Sequence, residues 1–342
     1  MKRAHPSTVA QVAPLVAYLN SLVAQGHPEA GRTRLDADES NMLALALEQM
    51  RSRVYEDEFP ELRARQILPV ENDIAAGAEN FAYEETSEVG EAKVITNYSD
   101  NPPSVETSSR KVTHSIVMLG DSYFYSIQDL ARAAFSGRPL EARKATAARR
   151  VYERGLDAIA ALGAPSDGIA DGICNRAVGT GAGQLRNTAM TSAAWDTTPV
   201  AADMLNDLNK AVAEFVSDSK ETHMPNVLVL PVLQYLRAAH TMFSDGSPES
   251  VLERFKKSNG FVSEVRPWDR LKSVDGSGGN YSRGLLMEQS ADVVSLVIPQ
   301  EFTVLAPQQH NYGFKVLGHG RTAGTCVYRP LGLRYLTAFP DA

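Results

Sequence analysis

Cysteine is scarce in this sequence, because Cys174 and Cys326 are the only two among 342 residues. Two thiols cannot build a disulfide framework or a four-thiolate zinc site, so both of these classes are excluded. The scarcity is typical of a chain that folds in a reducing compartment.

Long apolar runs are also absent, and no window approaches the roughly 20 apolar residues that a membrane-spanning helix needs. The N-terminus, MKRAHPSTVAQVAPLVAYLNSLVAQG, places two basic residues before a mildly apolar stretch, as a secretion signal does. Pro14 and Asn20 interrupt that stretch, and no A-x-A cleavage site follows it. We therefore expect a soluble protein that is made inside the cell and has no membrane partner.

A basic excess is missing as well. The chain has 34 Lys and Arg residues against 41 Asp and Glu residues, which gives a formal net charge of -7. A dedicated nucleic-acid reader is usually basic overall, so the charge argues against that class while leaving room for one basic face. The hydrophobic content of 43% and the charged content of 22% are typical of globular proteins and argue against disorder.

The one candidate nucleophile is Ser122, in the run VMLGDSYFYSIQDL at residues 117–130. An apolar run that ends in Gly-Asp-Ser resembles the nucleophile block of GDS-type esterases. Such an enzyme also needs a histidine base that is oriented by an acid, which that family supplies as D-x-x-H near the C-terminus. None of the last five histidines has an aspartate three residues before it, and the oxyanion-hole Gly-x-Asn-Asp is missing.

We therefore interpret Gly-Asp-Ser as a turn that ends a strand and caps a helix. A hydrolase that uses Ser122 is kept as a distant alternative. Other motifs also fail: GTGAG at 179–183 has Gln184 where a dinucleotide loop needs glycine, and neither H-x-x-x-H nor C-x-x-C occurs. We expect no enzyme activity, no cofactor and no metal.

Hydrophobic patterning predicts helices at residues 7–25 and 38–55, and then a change of character. NFAYEET and KVTHSIVML read as strands on either side of a long polar stretch, and could pair as an extended hairpin. A lone hairpin is marginal in water, so one this polar needs another surface to lie on.

A long helix is predicted at residues 140–163, ending at Gly163. Its expected apolar stripe consists of Ala148, Val151, Gly155, Ile159 and Leu162. Arg143, Arg150 and Arg154 fall on another face, which is either solvated or a contact surface. Further on, a helix capped by Ser247 is expected before a strand-rich C-terminal tail.

The run GDSYFYSIQDLARAAFSGRPLEARKATAARRVYERGLDAIAALG, followed by DGIADGICN, resembles major capsid proteins of tailed bacteriophages, which have the Hong Kong 97-type fold shared with encapsulins. The stretches VYEDEFPELRARQILPV, AKVITNYSDNPPSVE, PNVLVLP, VRPWDRLK and IPQEFTVLAPQ match in the same order. The resemblance covers residues 50 to 342, and the order and spacing of its parts carry it.

The resemblance implies an α+β fold with an N-terminal arm, an extended E-loop hairpin, a long spine helix, and peripheral and axial domains. The implied boundaries are 1–69 for the arm, 70–118 for the E-loop, 119–163 for the peripheral domain with the spine helix, 164–290 for the axial domain, and 291–342 for the C-terminal strands of the peripheral domain.

The implied function is that of a major capsid protein, which assembles through hexamers and pentamers into an icosahedral shell around double-stranded DNA. Implied partners are other copies of the chain and, in addition, scaffold, portal and decoration proteins. The chain would be made in the bacterial cytoplasm and reside in the virion. The alternative with the same fold is an encapsulin-like compartment.

Charge adds a hypothesis about contacts between subunits. The hairpin carries Glu84, Glu85, Glu88 and Glu91, which would meet Arg143, Arg150 and Arg154 of a neighbouring copy. The rival hypothesis is that the arginines contact packaged DNA through its phosphates, without sequence specificity. Some members of the fold also join a lysine to an asparagine covalently, and Lys93 is the single lysine of the implied E-loop before Lys111. We interpret Lys93 as ordinary surface.

Overall fold

The computed structural model describes residues 61–92, 104–136, 140–181, 183–196, 199–243, 249–272, 274 and 281–340. Several expected features lie outside these residues: the helices at 7–25 and 38–55, the cap at Ser247, and Lys93. The described residues belong to one compact unit that extends from Pro60 to Ala342.

Helices and strands alternate irregularly along the described chain. The helices are α1 (Ala64–Ile67), α2 (Ile127–Ser136), α3 (Leu140–Leu162), α4 (Ala201–Asp218), α5 (Val232–His240) and α6 (Val251–Ser258). The strands of the first half are β1 (Val70–Glu71), β2 (Asn80–Val89), β3 (Glu106–Ser115), β4 (Val117–Ser126), β5 (Arg186–Ala189) and β6 (Val227–Leu230). Those of the second half are β7 (Glu264–Pro267), β8 (Tyr281–Met287), β9 (Val294–Val297), β10 (Gln300–Val304), β11 (Gln308–His310), β12 (Gly313–Thr322), β13 (Gly324–Val327) and β14 (Leu333–Pro340).

The polar segment before residue 117 folds as an antiparallel hairpin of β2 and β3. The two strands pair over ten positions, from Asn80 opposite Ser115 to Val89 opposite Glu106. Near its base, Phe81 packs against a small buried cluster that contains Ile116. Towards the other end both strands are exposed. The paired strands confirm the expected hairpin.

Strand β4 follows β3 after a single residue and pairs with β12 along its whole length, from Val117 opposite Thr322 to Ser126 opposite Gly313. On its other edge β12 pairs with β10 and β11. Along β4, partly or fully buried residues on one face alternate with exposed residues on the other face, as expected for a half-buried antiparallel sheet. Helix α3 packs on one face of this sheet.

The long helix α3 occupies residues Leu140–Leu162, close to the predicted 140–163, and Gly163 follows it with a positive φ of 76°. Its buried face includes Ala148 and Ile159 of the predicted stripe, each 8% exposed, and differs from the stripe at other positions. Val151 and Leu162 are 53% and 40% exposed, whereas Tyr152 and Leu156 are buried. The helix is rotated in this way because Gly320 of β12, far away in sequence, leaves room for the Tyr152 ring.

The second large layer is a five-stranded sheet in the order β5-β14-β8-β6-β7. Helices α4, α5 and α6 contribute to a buried cluster against it, with Trp195, Phe215, Phe255 and Phe339 at its centre. Strand β14 comes from the C-terminal stretch that the resemblance assigned to the peripheral domain. It pairs with β5 and β8, so its residues lie in the sheet of the implied axial region.

Helix α6 begins at a capping box. The Ser250 hydroxyl accepts a hydrogen bond from the backbone of Glu253, and the Glu253 carboxylate accepts one from the backbone of Ser250. The cap is therefore Ser250 rather than Ser247. The reciprocal pair needs a glutamate three residues after the cap, and only Ser250 stands at that distance from Glu253.

Candidate assembly surfaces

Ser122 lies in the middle of β4, opposite Leu317 of β12, and it is exposed to solvent. The strand continues to Ser126, so Gly-Asp-Ser neither ends the strand nor caps the helix, contrary to our interpretation of the sequence. Ser126 caps α2 instead: its hydroxyl accepts from the backbone of Asp129, whose carboxylate accepts from the backbone of Ser126. Hydrogen bonding of its carboxylate with the side chain and the backbone of Ser126 lowers the pKa of Asp129.

The fold brings Ser122 into one surface groove with His319, a proximity that the D-x-x-H spacing did not foresee. The His319 ring, however, lies 3.2 Å from the amide of Gln300. Asp121 neighbours Ser122 along the strand, so its side chain points to the opposite face of the sheet. A nucleophile, a base and an orienting acid do not form a relay here among the described residues.

The four hairpin glutamates occupy different positions. Glu84 and Glu88 lie on the exposed face of β2, and Glu91 follows the strand and is also exposed. Glu85 lies on the opposite, half-buried face, where its carboxylate is 2.8 Å from the Arg110 guanidinium of β3. Glu85 is therefore committed to a cross-strand pair, and Glu84, Glu88 and Glu91 are more accessible to another molecule.

The three arginines are carried by α3 on the side away from its buried face. Arg143 and Arg150 are exposed and Arg154 is half-buried. Positions 143, 150 and 154 follow helical spacing of 7 and 4, which places them along one stripe. The helix thus presents a basic stripe while its opposite face packs on the β4–β12 sheet.

Several polar contacts that fix α3 in place were not predicted from the sequence. Asp157, which is 3% exposed, accepts hydrogen bonds from the backbone of Ala64 at 3.1 Å and from the Arg270 guanidinium at 2.9 Å. Arg65 bridges Glu153 of α3 and Glu301 of β10, and its hydrogen bond lowers the pKa of Glu301. These partners are 88 to 236 residues apart, so no local pattern indicates them.

In the described part of the chain, no group of three or more His, Cys, Asp or Glu residues is arranged to hold a metal ion. Within the same ranges, no helix is long and apolar enough to cross a membrane. Both cysteines are buried, and burial raises the pKa of the Cys326 thiol to about 12.

The described chain combines an extended hairpin, a long helix packed on its sheet, and a five-stranded sheet covered by three helices. The family model described as major capsid protein matches residues 90–338, which is well over half of the chain. The chain belongs to the major capsid protein family. Among curated proteins, no match was found.

Solved structures agree on the fold of this capsid protein. The capsid of Myoviridae phage XM1 has a TM-score of 0.74 at 19% identity, covering 86% of this chain and 97% of that one. The capsid of a native GTA particle gives a TM-score of 0.62 at 14% identity, with 90% and 99% covered. Mycobacterium phage Ogopogo gives a TM-score of 0.57 at 12% identity, with 86% and 98% covered. These matches confirm the Hong Kong 97-type capsid fold expected from the sequence.

Proposed function

We propose that this capsid protein forms the icosahedral head of a tailed bacteriophage, assembling through hexamers and pentamers around double-stranded DNA. The observation that carries the proposal is the hairpin of β2 and β3. Among the described residues its two strands pair only with each other, and the end remote from Phe81 is exposed on both strands. A polar, isolated strand pair is poorly stable alone and gains stability by lying on another copy.

The hairpin is the implied E-loop, and α3 is the implied spine helix. In the proposed arrangement, the exposed glutamates Glu84, Glu88 and Glu91 reach a neighbouring subunit, and Arg143, Arg150 and Arg154 are their candidate partners. Exposed ion pairs contribute only about 0–1 kcal/mol each, so they would set the register of neighbours more than the strength of the shell. Contact of the same arginines with DNA phosphates is the second candidate.

Scaffold, portal and decoration proteins are proposed as further partners, and the host bacterial cytoplasm as the place of synthesis. An encapsulin-like shell, with enzyme cargo in place of DNA, is the alternative within the same fold. Neighbouring genes distinguish the two: portal and terminase genes accompany a phage head, and a cargo-enzyme gene accompanies a compartment.

The proposal is tested by electron microscopy of the purified protein together with its mass by light scattering. Closed shells, tubes or stable hexamers are expected. If the protein alone is monomeric, the measurement is repeated after co-expression with the neighbouring virion genes. A protein that stays monomeric in that second preparation contradicts the proposed assembly.

A further inference from the structure

Two cavities meet where the hairpin joins the rest of the protein. One has a volume of about 510 Å³ and the other of about 740 Å³, and Glu85, Tyr328 and Arg329 line both. The hairpin is anchored at this junction, because the Tyr83 ring packs edge-on against Tyr328, with their centroids 4.9 Å apart. The two cavities are therefore separated by the hairpin and the turn that follows β13.

The smaller cavity is basic. Besides the shared residues it is lined by Arg110, Arg186 and His223. Arg110 is paired with Glu85 at 2.8 Å, and the His223 ring lies 2.7 Å from the carboxylate of Glu288. In the described ranges no carboxylate forms an ion pair with Arg186 or Arg329, so these two guanidiniums give the cavity a positive excess.

The larger cavity is acidic. Its lining includes Glu71, Asp73, Glu84 and Asp292 in addition to the shared Glu85. The Glu71 carboxylate already has partners within the subunit, because it accepts hydrogen bonds from Ser295 at 2.8 Å and Tyr328 at 2.7 Å. No cation in the described residues forms an ion pair with Asp73 or Asp292, and Glu84 is left to the proposed contact with the arginines of α3. The carboxylates outnumber the single lining arginine, so the negative charge of this cavity is unbalanced.

We propose that these surfaces meet between copies: the acidic cavity of one subunit docks against the basic cavity of the next. Each subunit carries both surfaces, and they differ from each other. A contact between two different surfaces is head-to-tail, and repeating it produces a ring when the rotation closes. Complementary charge would fix which face meets which and in what register. This inference rests on the proposed assembly and identifies its contact surfaces.

The test is a charge swap that uses one residue from each cavity. Arg186 lines only the basic cavity and Asp292 only the acidic one. We expect Arg186→Glu and Asp292→Arg each to reduce the yield of assembled particles at least fivefold, measured by sedimentation and electron microscopy. The double variant should recover more than half of the wild-type yield, because it restores opposite charges across the contact with their signs exchanged.

Matched controls are Lys272→Glu and Asp171→Arg, which make the same charge changes at exposed residues that line neither cavity. Their particle yields should equal that of the wild type. Thermal unfolding of the unassembled subunits checks that each variant is folded. If Arg186→Glu does not fold, Arg186→Gln replaces it, and its yield should still fall at least twofold.

Single variants that assemble at the wild-type yield would overturn the inference. So would a double variant that stays as defective as the singles, since the two faces would then not meet. A third contrary result combines two measurements on the wild type and Arg186→Gln. If both proteins assemble equally, but inorganic phosphate raises the unfolding temperature of the wild type alone, the basic cavity is a site for a free oxyanion. Failure of the wild type to assemble even after co-expression with the neighbouring virion genes contradicts the proposed function and is distinguishable from all three.

Discussion

Gly320 of β12 lies directly beneath the hydroxyl group of Tyr152 on α3, and a Cβ atom at position 320 would overlap that hydroxyl. Gly318, two residues earlier on the same face of the strand, accommodates the Phe302 ring in the same way. The rings of Tyr152 and Phe302 contact each other, with their centroids 4.8 Å apart. The two glycines thus set how closely the long helix approaches its sheet.

Replacing Gly320 with alanine should therefore destabilise the protein. The added methyl group forces the Tyr152 ring or the helix to shift, and overpacking of this kind costs about 1–3 kcal/mol. Chemical unfolding of the unassembled subunit measures the loss. A Gly155→Ala variant, where a Cβ meets nothing within 4 Å, is the matched control and should not lose stability.

Tyr152→Phe tests the cause of that loss. The Tyr152 hydroxyl is buried and has no hydrogen-bond partner among the described residues, so its removal should cost little. In the double variant with Gly320→Ala, the phenylalanine should recover part of the stability, because the overlapping oxygen is gone. Additive losses in a double-mutant cycle would show that the two positions do not interact.

The sequence predicts those parts of the fold whose signals are local. Strand β2 and helix α3 are long and regular, so the sequence locates them within a few residues. The stretch KVTHSIVML, expected as one strand, is instead divided between β3 and β4 at Ile116. The buried face of α3 is only partly predicted, because it depends on Gly318 and Gly320, which lie more than 150 residues later. The Gly-Asp-Ser tripeptide indicates a turn that ends the strand and caps a helix, but pairing with β12 extends the strand to Ser126. Arg110, the partner of Glu85, was also missed, because a hairpin prediction without register does not identify cross-strand pairs.

Asp121 offers a test of pH dependence. Both oxygens of its carboxylate are buried without a hydrogen-bond partner in the described ranges, and burial raises its pKa. An acid with a raised pKa binds its proton more tightly in the folded state, so ionisation removes stability as the pH rises through the folded pKa. Asp121→Asn should raise the free energy of unfolding by about 1 kcal/mol at neutral pH. At about pH 3, where the carboxyl is protonated in both states, the variant should show no gain.

The same measurement distinguishes this explanation from a simple packing effect. Thermal unfolding of wild type and Asp121→Asn is followed across the acid range. A gain that is equal at every pH would show that the charge of Asp121 is not its source. Asp171→Asn, at an exposed residue, provides the control for the change of side chain and should be neutral throughout.

Asp157 holds α3 against two distant parts of the chain, and its replacement by asparagine should be costly. The change removes the charge that faces Arg270, whose side chain is 34% exposed and can therefore be partly rehydrated. The expected loss is roughly 2–3 kcal/mol, somewhat below that for breaking a fully buried pair. Urea unfolding measures it, and a loss below about 0.5 kcal/mol, typical of ordinary surface positions, would contradict the role given to Asp157.

Ser122→Ala examines the hydrolase alternative. The serine lies in an uninterrupted strand and the neighbouring His319 faces Gln300, so neither p-nitrophenyl ester hydrolysis nor particle yield should change. A wild-type esterase activity that disappears in Ser122→Ala would restore the alternative. Activity that persists in the variant would come from another source, such as a contaminating enzyme.

The hairpin glutamates and the arginines of α3 yield a prediction with two arms. Because Glu85 already pairs with Arg110, the informative reversal is Glu84→Lys with Glu88→Lys, on the exposed face. If these residues meet arginines of a neighbour, the reversal should lower the yield of shells at least threefold and leave the folding of the subunit unchanged. Asp171→Lys, a reversal at an exposed carboxylate outside the hairpin, is the control.

In the second arm, Arg143 and Arg150 are changed to alanine. Arginines that contact the hairpin should impair shell formation in the same way as the glutamate reversal. Arginines that contact DNA should leave empty shells intact and reduce retention of the genome, with a weaker dependence of retention on salt because fewer phosphates are neutralised. Normal shells with normal genome retention would leave the basic stripe as a solvated face, contradicting both hypotheses at once.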